Sequence, residues 1–480
     1  MDRQRGGDNV GEMSKEFSSL RWIVAVVVVG ALAYVAYRTV VITNSDPRPP
    51  GNVYDVMALR ERDDLNVLFI LVDTLRAHRL SAYGYERETS PMFDYLAEAG
   101  LLFRRHTAQS SWTKASMASL WTGLYPVRTG VLESLHGIPE EATMPAEIFR
   151  EAGFRTAGIW RNGWVDPSFG FGKGFEVYAR PAFHVRGGRF RRENPHVTLE
   201  GTDYDVAEGA REFLRIHGDE RWFLYLHMMD VHQYLYSDDS ALFGSEYSDV
   251  YDNSIHHTDR VIGELLTDMA EQGLLEKTLI VWTSDHGEAF NERGYEGHAQ
   301  TVYRETTDVP FLISFPFQLE PRLVVESTTA GVDVWPTVLD LLGLPALPDT
   351  DGRSRRPEIL AAGGHGLAPE PGSVFAHIEQ GWGHLSKKKT RPMVTVVDGS
   401  YRFVSAVKPD GELAEELFDS NADPAELENV LDDEKEVADA MRALLEGYHE
   451  SRPAPWGDAN EIEIDELELN HLRALGYKID

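Results

Sequence analysis

The sequence predicts an α/β fold: a doubly wound, mostly parallel sheet covered by helices, with a smaller C-terminal antiparallel sheet subdomain and one N-terminal transmembrane helix. Three observations carry this. The run Asn66 to Val72 is continuously apolar after its first residue, as a strand buried on both faces must be. Further apolar runs alternate with helical patterns, which is the signature of a parallel sheet. From about Ser373 the pattern changes to short strands joined by a turn signal.

Taken in order, residues 1–21 form a tail and residues 22–42 a membrane anchor. Trp22 to Tyr37 carries no charge, and with Arg38 snorkelling the apolar run reaches Ile42, a helix of about 30 Å, one bilayer core. The rival is a cleaved signal peptide, because Ala31-Leu32-Ala33 fits a small-residue cleavage site. Positive charges fall on both sides of the span, and the expectation is a single-pass membrane protein with its catalytic domain outside the cytoplasm. A linker over 43–64 holds Pro47, Pro49 and Pro50 and leads to a catalytic domain over 65–370. Within it, strands are expected at Thr156 to Trp160, Trp222 to His227, Thr278 to Thr283 and Val309 to Phe315, with helices at Tyr204 to Ile216 and Tyr251 to Gln272. The C-terminal subdomain, 371–480, contains Val394 to Val397 and Tyr401 to Ser405 joined through Asp398-Gly399-Ser400.

Composition removes several function classes. With 46 Lys and Arg against 78 Asp and Glu, the net charge of −32 repels nucleic acid, so no nucleic-acid partner is expected. There is no Cys, which excludes disulfides, thiolate metal sites and any catalytic group made by modifying a Cys.

In a doubly wound sheet, ligands bind beyond the carboxyl ends of the strands. Polar residues stand there: Asp73, then His227 with Asp230 and His232, then Asp285 with His286 inside Ser284-Asp285-His286-Gly287-Glu288. Two carboxylates and an imidazole converging on one sheet edge form a candidate metal-ligand set. A third element, Ser111 to Pro126, starts a helix with hydroxyl residues that either cap it or do chemistry.

The order Asp73-Thr74-Leu75-Arg76, Trp112-Thr113 to Tyr125-Pro126, His227 to His232, and Ser284 to Glu288 with Gly297-His298 resembles the alkaline phosphatase superfamily, specifically its sulfatase-like branch. Gly331 to Gly343 and Glu416 to Asn429 resemble sulfatase C-terminal segments. The resemblance implies a nucleophile nine positions before the Thr of Thr122-Gly123, and that position is Thr113. Sulfatases carry a formylglycine there, made from Cys or Ser. Phosphoethanolamine transferases and lipoteichoic acid synthases carry Thr, with a metal held by an acidic residue, that Thr and an Asp-His pair, which matches Asp73, Thr113, Asp285 and His286. The five-residue step from His227 to His232 and the twelve-residue step from His286 to His298 also resemble the phosphoethanolamine transferases.

Residue chemistry then assigns expected roles. Metal coordination lowers the pKa of the Thr113 hydroxyl enough for attack. Mixed oxygen and nitrogen donors suit one divalent ion, zinc or manganese ahead of calcium, with a second metal possible. His298 is the expected leaving-group acid. His232, His227, Arg161, Asn162 and Lys114 are the expected substrate-binding residues. Each has a bland rival: His227 a satisfied strand histidine, Arg161 a partner for a carboxylate, Lys114 a solvated side chain. The expected function is hydrolysis of phosphate mono- or diesters of unknown identity. The alternatives are sulfuric ester hydrolysis, transfer of a phosphoethanolamine or phosphoglycerol type of group, and non-catalytic binding.

Overall fold

The computed structural model describes residues 46–181, 201–379, 392–408, 410–451 and 453–463. The expected anchor over 22–42 lies outside these. Among the described residues, no helix is long and apolar enough to cross a membrane.

The principal strands are β1 (Asn66–Val72), β2 (Leu101–Thr107), β3 (Arg155–Ile159), β4 (Val177–Ala179), β5 (Trp222–Met228), β6 (Thr278–Thr283), β7 (Phe311–Ser314) and β8 (Leu323–Ala330). They form one eight-stranded sheet in the order β8-β2-β7-β6-β1-β5-β3-β4. All neighbours are parallel except β7, which runs antiparallel to both β2 and β6. The crossovers put helices on both faces. One face holds α1 (Pro91–Glu98), α3 (Asp203–His217) and α4 (Tyr247–Glu271), and the other holds α2 (Thr113–Thr122) and α5 (Val334–Leu341).

The central strand shows why the sequence reads this way. In β1, Leu68, Ile70 and Val72 pack under α1, α3 and α4, while Val67, Phe69 and Leu71 pack under α2 and α5. Neither set meets water, so no alternation survives in the sequence. The Phe69 ring lies 5.6 Å from Trp121 and 4.9 Å from Trp335, whose indoles stack on each other at 5.0 Å. Burial of a side chain such as Phe69 stabilises the fold by roughly 1.5–3 kcal/mol, and this aromatic set fixes α2 across the sheet.

Register positions the functional edge. Leu71 pairs with Thr283 on one side and His227 on the other. Two residues further along, Asp73 comes level with Asp285. Because side chains alternate, Asp73 shares the face of Phe69 and Leu71, where α2 begins.

A four-stranded antiparallel sheet follows, in the order β9 (Val374–Ile378), β10 (Met393–Asp398), β11 (Tyr401–Val407) and β12 (Leu413–Asp419). Asp398 pairs with Tyr401 across a two-residue turn in which Gly399 takes φ +58°, a conformation that favours Gly. Val394, Val396, Phe403 and Leu417 pack on Met441, Leu445 and Tyr448 of α6 (Lys435–His449).

Candidate active site

The turn after β1 brings the first ligand candidate into place. Thr74 is held at φ +62°, and its backbone is pinned by Asp285 Oδ1, which accepts from Thr74 N at 3.3 Å, and by the Tyr251 hydroxyl, which donates to Thr74 O at 2.6 Å. Among the described residues, four of the six non-glycine residues with positive φ, namely Thr74, Tyr234, Asn291 and Ala299, sit on the loops that carry or flank the cluster. Such conformations persist only where surrounding structure imposes them, and they concentrate at functional sites.

Asp73, Asp285 and His286 are fully buried, and one ligand atom from each lies within 4.8 Å of the others. His286 Nδ1 faces Gly287 O at 3.0 Å and so carries its proton there, which leaves the Nε2 lone pair for the cluster. That Nε2 lies 3.2 Å from Thr113 Oγ1, 3.4 Å from Asp285 Oδ2 and 4.0 Å from Asp73 Oδ1. Asp73 Oδ1 and Asp285 Oδ2 are buried with no hydrogen-bond partner. Burial first, and then the Asp73 carboxylate for Asp285, pushes both carboxyls up to about 7, while burial holds the His286 imidazole well below its ordinary value. Two orphaned carboxylate oxygens, an imidazole lone pair and a hydroxyl around one point fit a divalent cation, whose charge would keep both carboxylates ionised.

Thr113 is not a helix cap. Trp112 occupies the cap position and makes no side-chain cap bond, whereas Thr113 Oγ1 meets His286 Nε2 and accepts from Asn162 Nδ2 at 3.2 Å. The same Asn162 amide donates to Asp73 Oδ2 at 2.6 Å, and its Oδ1 accepts from Trp164 N at 2.9 Å. His298 stacks on His286 with ring centres 4.7 Å apart and lies 4.9 Å from His232, so three imidazoles line one side of the cluster.

Three expected substrate-binding residues do something else. Arg161 is fully buried, its Nη1 donating to Asp203 Oδ1 at 2.8 Å and Asp230 Oδ1 at 2.6 Å and its Nη2 to Gly201 O and Gln233 Oε1. This is the bland rival, a guanidinium committed to carboxylates. Lys114 satisfies neither reading: it is buried, donates to Ser134 O at 2.6 Å and places Nζ 3.3 Å from the Phe169 ring centre. His227 is closed at both nitrogens, with the Tyr225 hydroxyl 2.6 Å from Nδ1 and Asp73 Oδ2 3.0 Å from Nε2. Burial lowers its pKa to about 4, so a neutral ring holds Asp73 in place.

Sequence reasoning assigned no role to Glu288. Its buried carboxylate lies 3.1 Å from His298 Nδ1. Burial opposes protonation of His298, but Glu288, with Asp73 and Asp285 behind it, raises the imidazole above its ordinary value. The available signal was its place two residues after His286.

Known proteins are similar to this chain over more than half of its length. The family model described as Sulfatase matches residues 65–344, more than half of the chain, and that described as N-sulphoglucosamine sulphohydrolase, C-terminal, matches residues 294–451. Steryl-sulfatase of Rattus norvegicus is 25% identical over 405 residues, spanning 62% of this chain and 70% of that one. Arylsulfatase A of Homo sapiens is 27% identical over 348 residues, spanning 62% and 68%. The crystal structure of the phosphonate monoester hydrolase of Agrobacterium radiobacter superposes with a TM-score of 0.61 at 20% identity, covering 80% of this chain and 94% of that one.

Proposed function

The chain belongs to the sulfatase family, and from that premise we propose that it is a metal-dependent hydrolase of sulfuric esters in which Thr113 delivers the attacking oxygen. The observation that carries this reading is the pair of buried, partnerless oxygens, Asp73 Oδ1 and Asp285 Oδ2, beside His286 Nε2 and Thr113 Oγ1. These four atoms would hold the ion, zinc or manganese by their mixed donor set. When bound, it supplies positive charge that lowers the Thr113 pKa and offsets charge on the ester oxygens.

The chain's own residues do the rest. Asn162 Nδ2 orients Thr113 Oγ1 while tying it to Asp73. Thr113 Oγ1, its proton already lost to solvent, attacks sulfur as the ester's bridging S–O bond breaks, and His298 gives its proton to the departing oxygen. Glu288 favours the protonated form of that imidazole and holds its Nδ1, which leaves Nε2 to serve the leaving group. Water then attacks the sulfur of the sulfated Thr113, its proton passing to His298 as the bond from sulfur to Thr113 Oγ1 breaks and hydrogen sulfate leaves.

A second reading, hydrolysis of phosphate mono- or diesters, is favoured by one observation: residue 113 is Thr in a chain without Cys, so an unmodified hydroxyl must do the work. The test is turnover of aryl sulfate, aryl phosphate and bis-aryl phosphate by one metal-loaded preparation, with and without an added alcohol. Faster sulfate release supports the first reading. A phosphate preference of tenfold or more overturns it in favour of the second, and an alcohol adduct identifies transfer. We also place the enzyme at a membrane through residues 22–42, with the catalytic domain outside the cytoplasm, on the strength of that apolar stretch alone, in which Arg38 is the one charge. Recovery of the full-length chain from the cytosolic fraction refutes that placement.

A further inference from the structure

A cavity of about 260 Å³ lies between the end of β2, the loop before β7 and the β10–β11 hairpin, and it shares no lining residue with the Asp73–Asp285 cluster. Four guanidiniums, those of Arg104, Arg105, Arg304 and Arg402, line it against two carboxylates, Asp308 and Glu426. In a chain of net charge −32 this is a local excess of positive charge.

The acids are already used. Glu426 Oε2 accepts from Arg402 Nε at 2.7 Å, Asp308 Oδ1 accepts from Arg402 Nη2, and Asp308 Oδ2 lies 3.2 Å from His78 Nε2. Arg402 is therefore spent on protein, and its Nη1 donates to Thr307 Oγ1. The other three are committed less fully. Arg104 gives only Nη1, to Ala82 O at 3.0 Å, and Arg105 gives only Nη1, to Gly399 O at 3.1 Å. Arg304 gives Nη2 to His78, and its Nε, buried without a hydrogen bond, lies 3.6 Å from Asp308 Oδ2, an ion pair that leaves its fork only partly used. His106 lines the same cavity with Nδ1 held by Thr329 Oγ1 and Nε2 also buried and unpartnered. Orphaned buried polar atoms are rare and ask for an explanation, and guanidinium forks match the edges of tetrahedral oxyanions.

We propose that this cavity is a second anion site that binds a sulfate or phosphate group through Arg104, Arg105 and Arg304. It does not depend on which ester the catalytic cluster cleaves. The volume exceeds that of a bare ion, since a water occupies about 30 Å³ of liquid, so either a hydrated free ion or an ester-borne group fits.

The experiment is calorimetric titration of the metal-loaded full chain at constant ionic strength with sodium sulfate, sodium phosphate, methyl sulfate and sodium acetate. Arg304→Gln and Arg104→Gln each weaken one class of sulfate site at least tenfold and leave aryl ester turnover unchanged. Arg104 bonds the protein only through Ala82 O, so its variant carries the test should Arg304→Gln fail to fold. Methyl sulfate binding at the arginine-dependent site identifies an ester-borne group, and its exclusion identifies the free ion. Sulfate binding that is absent, or equal in wild type and both variants, overturns the proposal, as does acetate binding equal to sulfate. Loss of turnover in Thr113→Ala leaves the arginine-dependent site intact, which separates failure here from failure of the catalytic reading.

Discussion

Arg161 and Asn162 are consecutive residues that lead into two buried acidic clusters at the same edge of the main sheet. Asn162 reaches Asp73 in the cluster with Asp285, and Arg161 reaches Asp203 and Asp230. Both clusters consist of two carboxylates removed from water. In the second, every carboxylate oxygen is answered: besides Arg161, Asp203 accepts from Met229 N, Asp230 N and Thr258 Oγ1, and Asp230 accepts from Asp203 N. In the first, one oxygen of each acid has no partner. Burial and acidity are thus shared by scaffold and site, and the unanswered atoms are what separate them.

The largest effect expected from that contrast is at Asp285. Asp285→Asn should release the metal and lower turnover by about three orders of magnitude or more, while the metal-free protein unfolds at no lower denaturant concentration than wild type, because the lost carboxylate oxygen had no partner. Metal content and urea unfolding of the same preparation check both halves. Stoichiometric metal in the variant would mean that the orphaned oxygens are not ligands.

Thr113 sharpens the comparison from the hydroxyl side. Thr113→Ala should lose turnover on the same scale, and Thr113→Ser should keep part of it, because attack needs an ionisable oxygen. Since Trp112 holds the cap position, neither change should cost more than about 1 kcal/mol of stability. Near-normal turnover by the Ala variant would remove Thr113 from the reaction.

Arg161 reverses the pattern. Arg161→Met leaves Asp203 and Asp230 facing each other without a counter-charge and should destabilise the fold by about 3–5 kcal/mol, with the folded fraction still turning over substrate. Equilibrium urea unfolding measures the first and turnover per folded molecule the second. A stable but inactive Arg161→Met would return Arg161 to the substrate pocket where sequence reasoning had placed it.

That misplacement shows where legibility stops. β1 and β6 were readable because strands buried on both faces have no polar interruptions, and Asp73 and Asp285 were readable because they end those strands. β2 was missed because Arg104 and Arg105 break its apolar run, and those arginines face the second cavity rather than the core. The antiparallel direction of β7 leaves no mark in composition. At the site, spacing located residues but not the directions of their side chains. Lys114 follows Thr113 yet reaches Ser134 O, and the partner of Arg161 that decides its role stands 42 positions away at Asp203. The roles of such cations are set by tertiary neighbours.

The smallest effect concerns a third acid, Asp308, whose two carboxylate oxygens are both answered. Burial would raise this carboxyl, but Arg402, followed by His78 and Arg304, outweighs burial and holds it below the usual carboxylate range. The sign follows: with the folded pKa depressed, ionised Asp308 contributes stability that is fully present above its unfolded pKa, about 3.9, and is lost as pH falls through the folded value. Asp308→Asn should therefore be less stable than wild type near pH 7, by about 1.5–3 kcal/mol for a hydrogen bond to a charged group. The gap should close as wild type is acidified below about pH 4. Urea midpoints of both proteins from pH 7 to pH 3 measure it. A gap that stays constant over that range would mean that the Asp308–Arg402 pair contributes shape rather than charge, and the rule drawn from Arg161 would not extend to it.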